Sequence, residues 1–195
     1  MCVWIMVGRS TSLLYARSGR RERLIRLRRL GYVAVLAMTA LAVLVAPAQA
    51  ATWGQIQNKF STKCVDEKDQ DRQVNGAHVQ QWDCKSVSNQ RWLPVQQPNG
   101  FFQLISERSG KCLMIDGRDT RSGALAVVWD CIPGDRAQQW NRVRNPFPNA
   151  TNSSWLVNVN SEKCLEIPGW NTGNGLFLAQ SDCVGGHKQY WNTNF

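Results

Sequence analysis

The chain has little of the chemistry on which enzymes commonly depend. Its 195 residues include only two histidines, His78 and His187, and neither has a serine or cysteine partner at an evident spacing. Glycosidase chemistry needs two opposed carboxylates in one cleft, and the acidic residues here lie in no recognisable glycosidase pattern. The sequence therefore predicts a protein that is not an enzyme.

Net positive charge is small outside the first 50 residues. The whole chain carries 23 Lys and Arg against 14 Asp and Glu. Eight of the arginines and the single acid Glu22 lie in residues 1–50, which leaves 15 bases and 13 acids in residues 51–195. A surface that binds phosphates needs a larger excess of positive charge. The sequence therefore predicts no nucleic-acid partner.

Long hydrophobic runs are also scarce, with one exception near the amino terminus. Leu30–Ala46 is an uncharged run of 17 residues, short of the roughly 20 that span a bilayer. A positive block precedes it, and Ala48-Gln49-Ala50 after it is a site that a signal peptidase accepts. We predict a signal peptide over residues 1–50, a secreted protein that begins at Ala51, and no membrane partner after cleavage. An uncleaved membrane anchor is the alternative.

The cysteines after the signal peptide follow a regular pattern. Six of them form three pairs with separations of 20, 19 and 19 residues, and the first cysteines of successive pairs are 48 and 52 residues apart. A fixed interval of this size indicates an internal repeat. Each repeat contains Lys-Cys at its first cysteine, places its second cysteine after an aspartate and has Gln-x-Trp downstream of it. The repeats span about residues 53–97, 99–145 and 153–195.

Short alternating runs of apolar and polar residues precede the cysteine pairs, and no segment of residues 51–195 has a convincing helical period. These runs are Gly54–Asn58, Phe101–Ser106 and Trp155–Asn160. Alternation is typical of half-buried strands, and clusters of Gly, Asn, Ser and Pro between the runs indicate turns. We predict an all-β domain with about four short strands in each repeat.

The Gln-x-Trp motif occurs three times in phase with the cysteine pairs, as Gln90-Arg91-Trp92, Gln138-Gln139-Trp140 and Gln189-Tyr190-Trp191. On these residues the chain resembles the ricin-type β-trefoil lectins (ricin B-like domains and family 13 carbohydrate-binding modules). The resemblance implies twelve strands in three lobes about a pseudo-threefold axis. The three tryptophans are large apolar side chains suited to a shared core, and each glutamine can pair with backbone groups of a tight turn.

The repeats also select one disulfide pairing. Six cysteines allow 15 connectivities, and within the repeats of such a trefoil the pairs become Cys64–Cys84, Cys112–Cys131 and Cys164–Cys183. This pairing leaves no thiol after the predicted signal peptide, where Cys2 lies, for nucleophilic chemistry or for a cysteine-based metal site. We predict no metal and no cofactor.

Repeat one keeps every position that the family uses to bind sugar. The resemblance implies that Asp66 binds a pair of hydroxyls, that Trp82 stacks on the sugar ring and that Asn89 with Gln80 completes the polar contacts. Gln90 would hold Asn89 and its loop in place, and Asp69 matches an acidic position at the pocket edge. The alternative is that Asp66 is a turn residue and Trp82 is half-buried packing.

Repeat two has lost most of these positions. Met114 stands at the position of Asp66, and Ala137 stands at the position of Asn89. Trp129 keeps the aromatic position, but with Val127 behind it the ring has no polar group to orient a sugar. We expect Asp116 to serve a turn with Gly117. Repeat two is therefore predicted to be disabled.

Repeat three matches the sugar-binding positions of the family poorly, and the sequence leaves its capacity to bind sugar open. Glu166 stands at the position of Asp66, Ser181 at that of Trp82, and Lys188 at that of Asn89. Trp170, on the intervening loop, is a candidate replacement for the missing ring.

These observations predict a secreted carbohydrate-binding protein, a monomer that recognises galactose- or xylose-type glycans, including galactosides, xylan and arabinan-type chains, mainly through repeat one. A single shallow pocket implies an affinity for simple sugars near millimolar, about −4 kcal/mol. The alternatives are a trefoil that binds protein, such as a secreted hydrolase inhibitor, and a vestigial trefoil that binds nothing.

Overall fold

The computed structural model of the chain describes residues 52–71, 73–144 and 153–193. The predicted signal peptide and Ala51 lie outside the described residues, as does residue 145 at the predicted end of repeat two. Within the described part, no helix has the length and apolarity that crossing a membrane requires.

The described residues form twelve short strands, four in each repeat, and no α-helix. Repeat one contains β1 (Ile56–Asn58), β2 (Cys64–Glu67), β3 (Ala77–Trp82) and β4 (Trp92–Gln96). Repeat two contains β5 (Phe102–Ser106), β6 (Cys112–Ile115), β7 (Ala126–Trp129) and β8 (Trp140–Arg144). Repeat three contains β9 (Ser154–Asn158), β10 (Cys164–Glu166), β11 (Ala179–Ser181) and β12 (Trp191–Thr193). The all-β prediction and its strand number are confirmed.

Six single-turn 3₁₀ helices connect these strands, two in each repeat. They are Asp69–Asp71, Ser88–Gln90, Asp116–Arg118, Arg136–Gln138, Pro168–Trp170 and His187–Gln189. Asp116 belongs to a turn, as expected, because Gly117 within it has a φ of 59°, a conformation that glycine adopts without strain.

The first strand of repeat three ends earlier than its sequence pattern predicts. The alternation continues to Asn160, but β9 ends at Asn158. The side-chain Oδ1 of Asn158 accepts hydrogen bonds from the backbone N–H groups of Asn160 and Ser161, at 3.1 and 3.3 Å. Asparagine side chains compete in this way with the strand ladder, so Asn158 turns the chain before the apolar pattern runs out.

The first and fourth strands of the three repeats pair in a closed ring. β1 pairs with β12, β4 with β5 and β8 with β9, all antiparallel. Within the repeats, β5 pairs with β8 and β9 with β12, and an isolated bridge joins Gly54 to Trp92. The ring therefore leaves none of these six strands with an open edge.

The second and third strands form one hairpin in each repeat, and the hairpins contact one another. β3 pairs with β7, while isolated bridges join Gln80 to Phe177 and Leu125 to Ala179. Six ring strands and three mutually paired hairpins, related by the threefold repeat, make the fold a β-trefoil.

The core lies where the three repeats meet. Trp92, Trp140 and Trp191 are each 0 % exposed and pack in one cluster with apolar residues from all three repeats. Each indole Nε1 donates to a buried backbone carbonyl of its own repeat, at 2.9 to 3.0 Å. The indoles are thus buried with their one polar atom satisfied, which identifies the tryptophan of Gln-x-Trp as a core residue.

The glutamine of each Gln-x-Trp motif holds a loop. Gln90, Gln138 and Gln189 are all fully buried. Each donates from Nε2 to the backbone carbonyl of the aspartate before the second cysteine, at 2.7 to 3.0 Å. Each accepts at Oε1 from a backbone N–H just after that cysteine, at 2.7 to 3.0 Å. The predicted role of these glutamines in a tight turn is confirmed.

One disulfide closes the same loop in every repeat. The pairs are Cys64–Cys84, Cys112–Cys131 and Cys164–Cys183. By the chain-entropy estimate a loop of about 20 residues gains roughly 3 kcal/mol from such a link. The predicted pairing is confirmed.

Candidate functional site

A cavity of about 410 Å³ lies in repeat one, at the end of the β2–β3 hairpin. All five residues predicted to bind sugar line it, together with residues of the following loop and one residue of repeat two. The lining residues are Asp66, Asp69, Gln80, Trp82, Lys85, Val87, Ser88, Asn89, Gln90 and Arg108.

The β2–β3 hairpin fixes three of these side chains. Its antiparallel register sets Asp66 opposite Gln80 and Cys64 opposite Trp82. Side chains two apart on a strand share a face, so Gln80 and Trp82 both reach the cavity beside Asp66. The 3₁₀ turn Ser88–Gln90 then brings Asn89 and Gln90 against the same carboxylate.

The Asp66 carboxylate is the centre of a hydrogen-bond network at the base of the cavity. Gln80 Nε2 donates to Asp66 Oδ1 at 2.9 Å. Asn89 Nδ2 and Gln90 Nε2 donate to Asp66 Oδ2, at 3.0 and 2.9 Å. Asp66 is only 4 % exposed, so the three amides replace most of the hydrogen bonds that water would otherwise make.

The network retains capacity for further hydrogen bonds. A carboxylate accepts about four hydrogen bonds, and three of these acceptor sites on Asp66 are taken by amides. The Gln80 amide nitrogen has two N–H donors, and only one of them is used among the described residues. The remaining acceptor and donor lie side by side, which is the arrangement that a sugar hydroxyl requires.

Gln90 lines the cavity, but its hydrogen bonds hold other residues of the site in place. Its side chain is 0 % exposed and is fully engaged by Asp66, the Asp83 carbonyl and the Lys85 N–H. Gln90 holds the loop, as predicted. It does not hold Asn89 directly: it orients Asp66, and Asn89 Nδ2 donates to Asp66 and to the Glu67 carbonyl.

The environment of Asp66 changes its acidity. Burial raises the pKa of this carboxyl, because desolvation disfavours its charged form, and nearby Asp69 acts in the same direction. The hydrogen bonds from Gln80 and Gln90, and the Arg108 charge, pull the pKa back in part. Asp66 is therefore a carboxylate whose charge is costly to keep where it lies.

Repeat three supports the aromatic ring of the site. Trp82 is half-buried, and a Cβ added at Gly175 would lie 3.5 Å from its Cζ3 atom. The neighbouring Asn174 accepts from the backbone N–H of Asp83 at 3.0 Å and donates to its carboxylate at 2.8 Å. A loop of another repeat therefore passes close to the ring, part of whose surface stays open.

Sequence reasoning missed the residue that repeat two contributes. Arg108, in the turn between β5 and β6, lines the cavity and forms an ion pair with the Asp69 carboxylate. Its Nη2 also donates to the Asp69 carbonyl at 3.4 Å. Asp69 lines the cavity, as predicted. Arg108 lies 39 residues from Asp69, and no local pattern links the two.

The profile of the ricin-type beta-trefoil lectin domain matches residues 52–191. The chain belongs to this family. Among curated proteins, none matches the chain in sequence.

Solved structures share the ricin-type trefoil fold. A designed threefold-symmetric protein, ThreeFoil, is 26% identical with a TM-score of 0.66, over 72% of this chain and 96% of that one. An exo-β-1,3-galactanase from Clostridium thermocellum is 21% identical with a TM-score of 0.66, over 75% of this chain but only 30% of the enzyme. A ricin B-like lectin of Macrolepiota procera, in complex with lactose, is 18% identical with a TM-score of 0.63, over 75% and 96% of the two chains.

In repeat two of this ricin-type trefoil, an apolar cluster occupies the place of the polar network. Met114, Val127 and Ala137 are each at most 2 % exposed and pack together, with Trp129 against them. They stand at the positions of Asp66, Gln80 and Asn89. Gln138 still donates in the direction of the missing carboxylate, 3.8 Å from the Met114 sulfur. That repeat two binds no sugar stays a prediction, which this closed cluster supports.

In repeat three the Glu166 carboxylate forms an ion pair with a lysine. Lys188 Nζ lies 2.8 Å from Glu166 Oε2, and Gln189 Nε2 donates to the same oxygen at 3.0 Å. Ser181 offers no ring. Trp170 is 52 % exposed, and the edge-on ring of Phe60 packs against it with 5.1 Å between centroids. The replacement of the missing ring by Trp170 stays a prediction.

The two histidines lie apart from the cavity. His78 Nδ1 is 3.0 Å from Asp71 Oδ2 and its ring stacks on Phe177, while His187 packs edge-on to Tyr190. Among the described residues, no group of three or more His, Cys, Asp or Glu side chains is placed to hold a metal ion.

Proposed function

We propose that this ricin-type trefoil is a non-catalytic carbohydrate-binding protein with one working pocket, in repeat one. Its family supports a role in binding carbohydrate. The observation that carries the choice of pocket is the Asp66 network: a buried carboxylate held by three amide donors, beside a partly open indole. Neither of the other repeats combines a carboxylate, an amide and a ring at these positions.

The geometry supports a simple binding mode. The sugar's apolar C–H face stacks on Trp82, and one of its hydroxyls donates to the acceptor that remains on Asp66 Oδ1. The second N–H of Gln80 and the amide oxygen of Asn89 serve neighbouring hydroxyls. This differs from the sequence expectation in one respect, since Asp66 alone does not have room for two new hydrogen bonds while all three amides remain bound to it.

Galactose-, xylose- and arabinose-type glycans are the candidate ligands, because each presents neighbouring hydroxyls beside an apolar face. Two structures of the same fold are consistent with such a ligand: the Macrolepiota lectin was solved with lactose, and the Clostridium enzyme is a galactanase. A single shallow pocket predicts dissociation constants near millimolar, about −4 kcal/mol.

The test is calorimetric titration of the monomeric chain with a panel of mono- and disaccharides. We expect binding with a stoichiometry near one. Asp66→Ala removes the acceptor and should abolish it, whereas Met114→Ala, the matched change in repeat two, should leave the affinity within about twofold. Binding that survives Asp66→Ala, or a stoichiometry of two or three, would overturn the single-pocket proposal. If no sugar binds and the chain instead captures a secreted hydrolase, the protein-binding alternative replaces it.

We also propose that the chain is secreted after cleavage before Ala51. Support comes from the Ala-Gln-Ala site and from three disulfides, which persist in oxidising compartments. Mass spectrometry of exported material should give a chain that begins at Ala51 and is about 6 Da lighter than its reduced form, two hydrogens for each bridge. A retained leader would contradict the cleavage.

A further inference from the structure

In each repeat, the turn after the first strand reaches across to a neighbouring repeat. Phe60 packs on Trp170, Arg108 pairs with Asp69, and Asn160 Nδ2 donates to the Arg118 carbonyl at 3.0 Å. These contacts are equivalent in the threefold repeat, but their chemistry differs in each. Of these three contacts between described residues, the one from repeat two uses a charged side chain, Arg108, and this side chain lines the repeat-one cavity.

A buried carboxylate fixes that turn. Glu67 is 0 % exposed, at a position where the other repeats have the core residues Ile115 and Ile167. Its Oε2 accepts from Ser106 Oγ at 2.5 Å and from Ser109 Oγ at 2.8 Å. The two serines flank Arg108 in the chain, so Glu67 holds both ends of the segment that carries the guanidinium.

Arg108 retains hydrogen-bonding capacity at the cavity. A guanidinium has four terminal N–H donors besides Nε, and Asp69 takes two of them among the described residues. Lys85, on the loop after Cys84, lines the same cavity. None of the ion pairs between described residues involves Lys85.

The charges at the cavity balance. The acids Asp66 and Asp69 and the bases Lys85 and Arg108 all line it. The three amides hold Asp66 but leave its charge in place, and Arg108 pairs with Asp69. Lys85 forms no ion pair among the described residues, and its charge acts on the exposed carboxylate of Asp83. A carboxylate is the strongest hydrogen-bonding partner for a guanidinium, and an ammonium adds a second attraction.

We propose that the repeat-one pocket prefers a sugar that carries a carboxylate, a hexuronate, and that Arg108 and Lys85 recognise this group. Asp66 and Trp82 bind the hydroxyls and the ring as they do for a neutral sugar. This inference rests on the proposed function, because it specifies the ligand class of the same pocket. It makes Arg108 a specificity-determining residue supplied by repeat two, which has an apolar cluster in place of such a network.

The experiment compares pairs of sugars that differ only in the group attached to C5, which is a carboxylate in one member of each pair. Methyl glycosides of galactose and galacturonic acid form one pair, and those of xylose and glucuronic acid form the other. At low ionic strength and neutral pH, we expect the acidic member of at least one pair to bind about fivefold more tightly, the gain typical of a partly exposed ion pair. Equal or weaker binding of both acids, with neutral sugars still bound, overturns this inference and leaves the proposed function standing. Absence of binding to all four sugars overturns the proposed function itself.

Four variants separate direct recognition from general charge. The measured quantity is the dissociation constant of the neutral sugar divided by that of the acidic sugar, and Arg108→Gln should bring this ratio towards one. Arg121→Gln removes an equal charge from the exposed Asp119–Arg121 pair and should leave the ratio unchanged. Asp69→Asn releases Arg108 from its partner and should increase the ratio. The double variant Asp69→Asn/Arg108→Gln removes both charges. If it keeps the wild-type ratio, Arg108 makes no direct contact and the inference is wrong.

Discussion

Repeats one and two have the same strands, the same disulfide and the same buried Gln-x-Trp, yet they differ completely where the hairpin meets the turn before that motif. In repeat one, Asp66 is held there by three amides. In repeat two, Met114, Val127 and Ala137 close into an apolar cluster. Both solutions are well packed and bury their side chains. The trefoil therefore tolerates a polar or an apolar filling at this place, and we propose that the polar one serves sugar binding.

The residues common to the two repeats stabilise the fold. Trp92 and Trp140 lie in one core and bond to equivalent carbonyls. Gln90 and Gln138 close equivalent loops. Their positions are set by the backbone that they stabilise, so they occur whether or not a repeat has a working pocket.

The largest expected effect tests this separation between core and site within repeat one. Trp92→Ala removes a fully buried indole and its hydrogen bond, and should lower the free energy of unfolding by about 3–5 kcal/mol. Trp82→Ala truncates a half-buried ring, and should cost about 1 kcal/mol of stability but abolish sugar binding. Chemical denaturation and calorimetry on both variants measure the two effects. A loss of stability as large for Trp82→Ala as for Trp92→Ala would make Trp82 a core residue.

The next effect comes from converting one repeat into the other. The triple variant Asp66→Met/Gln80→Val/Asn89→Ala gives repeat one the apolar cluster of repeat two. We expect sugar affinity to fall more than about 100-fold, since the polar contacts go together. We expect the free energy of unfolding to fall by about 1–3 kcal/mol, because Gln90 Nε2 and the Glu67 carbonyl stay in place and each lose a hydrogen-bond partner. Retained binding would show that the site lies elsewhere.

The same comparison shows which features the sequence alone could predict. The cysteine pairs and the motif around Trp92 recur at a fixed phase, so periodicity indicates the threefold repeat. The family resemblance carried by these residues implies the trefoil, its disulfides and its core. The resemblance implies Asp66 and its amides from their offsets to the cysteines, to Trp82 and to the Gln-x-Trp motif, and the structure brings them together at the cavity. Arg108 could not be found in this way, because it joins the cavity by folding from another repeat.

Two further details were beyond sequence reasoning for physical reasons. The end of β9 depends on which backbone groups the Asn158 side chain binds, and hydrophobic alternation does not report such competition. The buried Glu67 contradicts the usual preference for apolar residues in a core. Only the nearby hydroxyls of Ser106 and Ser109 explain it.

The smallest expected effect is a pH dependence that repeat one has and repeat two, with Met114 at the same place, does not. Burial raises the pKa of Asp66 above its ordinary value of 3.8. Because the sugar hydroxyl needs an ionised acceptor, affinity for a neutral sugar should fall as pH decreases through this raised pKa, by about tenfold per pH unit below it. The loss therefore begins at a higher pH than for an ordinary aspartate.

Stability responds to the same proton with the opposite sign. A native carboxyl with a raised pKa binds its proton more readily than the unfolded chain does, so protonation of Asp66 relieves a destabilisation as pH falls. Asp71, whose hydrogen bonds with His78 and Lys68 lower its pKa despite the opposing effect of burial, loses its contribution only at lower pH. Calorimetry with a neutral sugar between about pH 7 and pH 4 measures the affinity. Near-UV circular dichroism at each pH shows separately whether the fold is intact. An affinity that stays constant while the fold is intact would mean that Asp66 does not accept the hydroxyl, and the difference between the two repeats would then lie in packing alone.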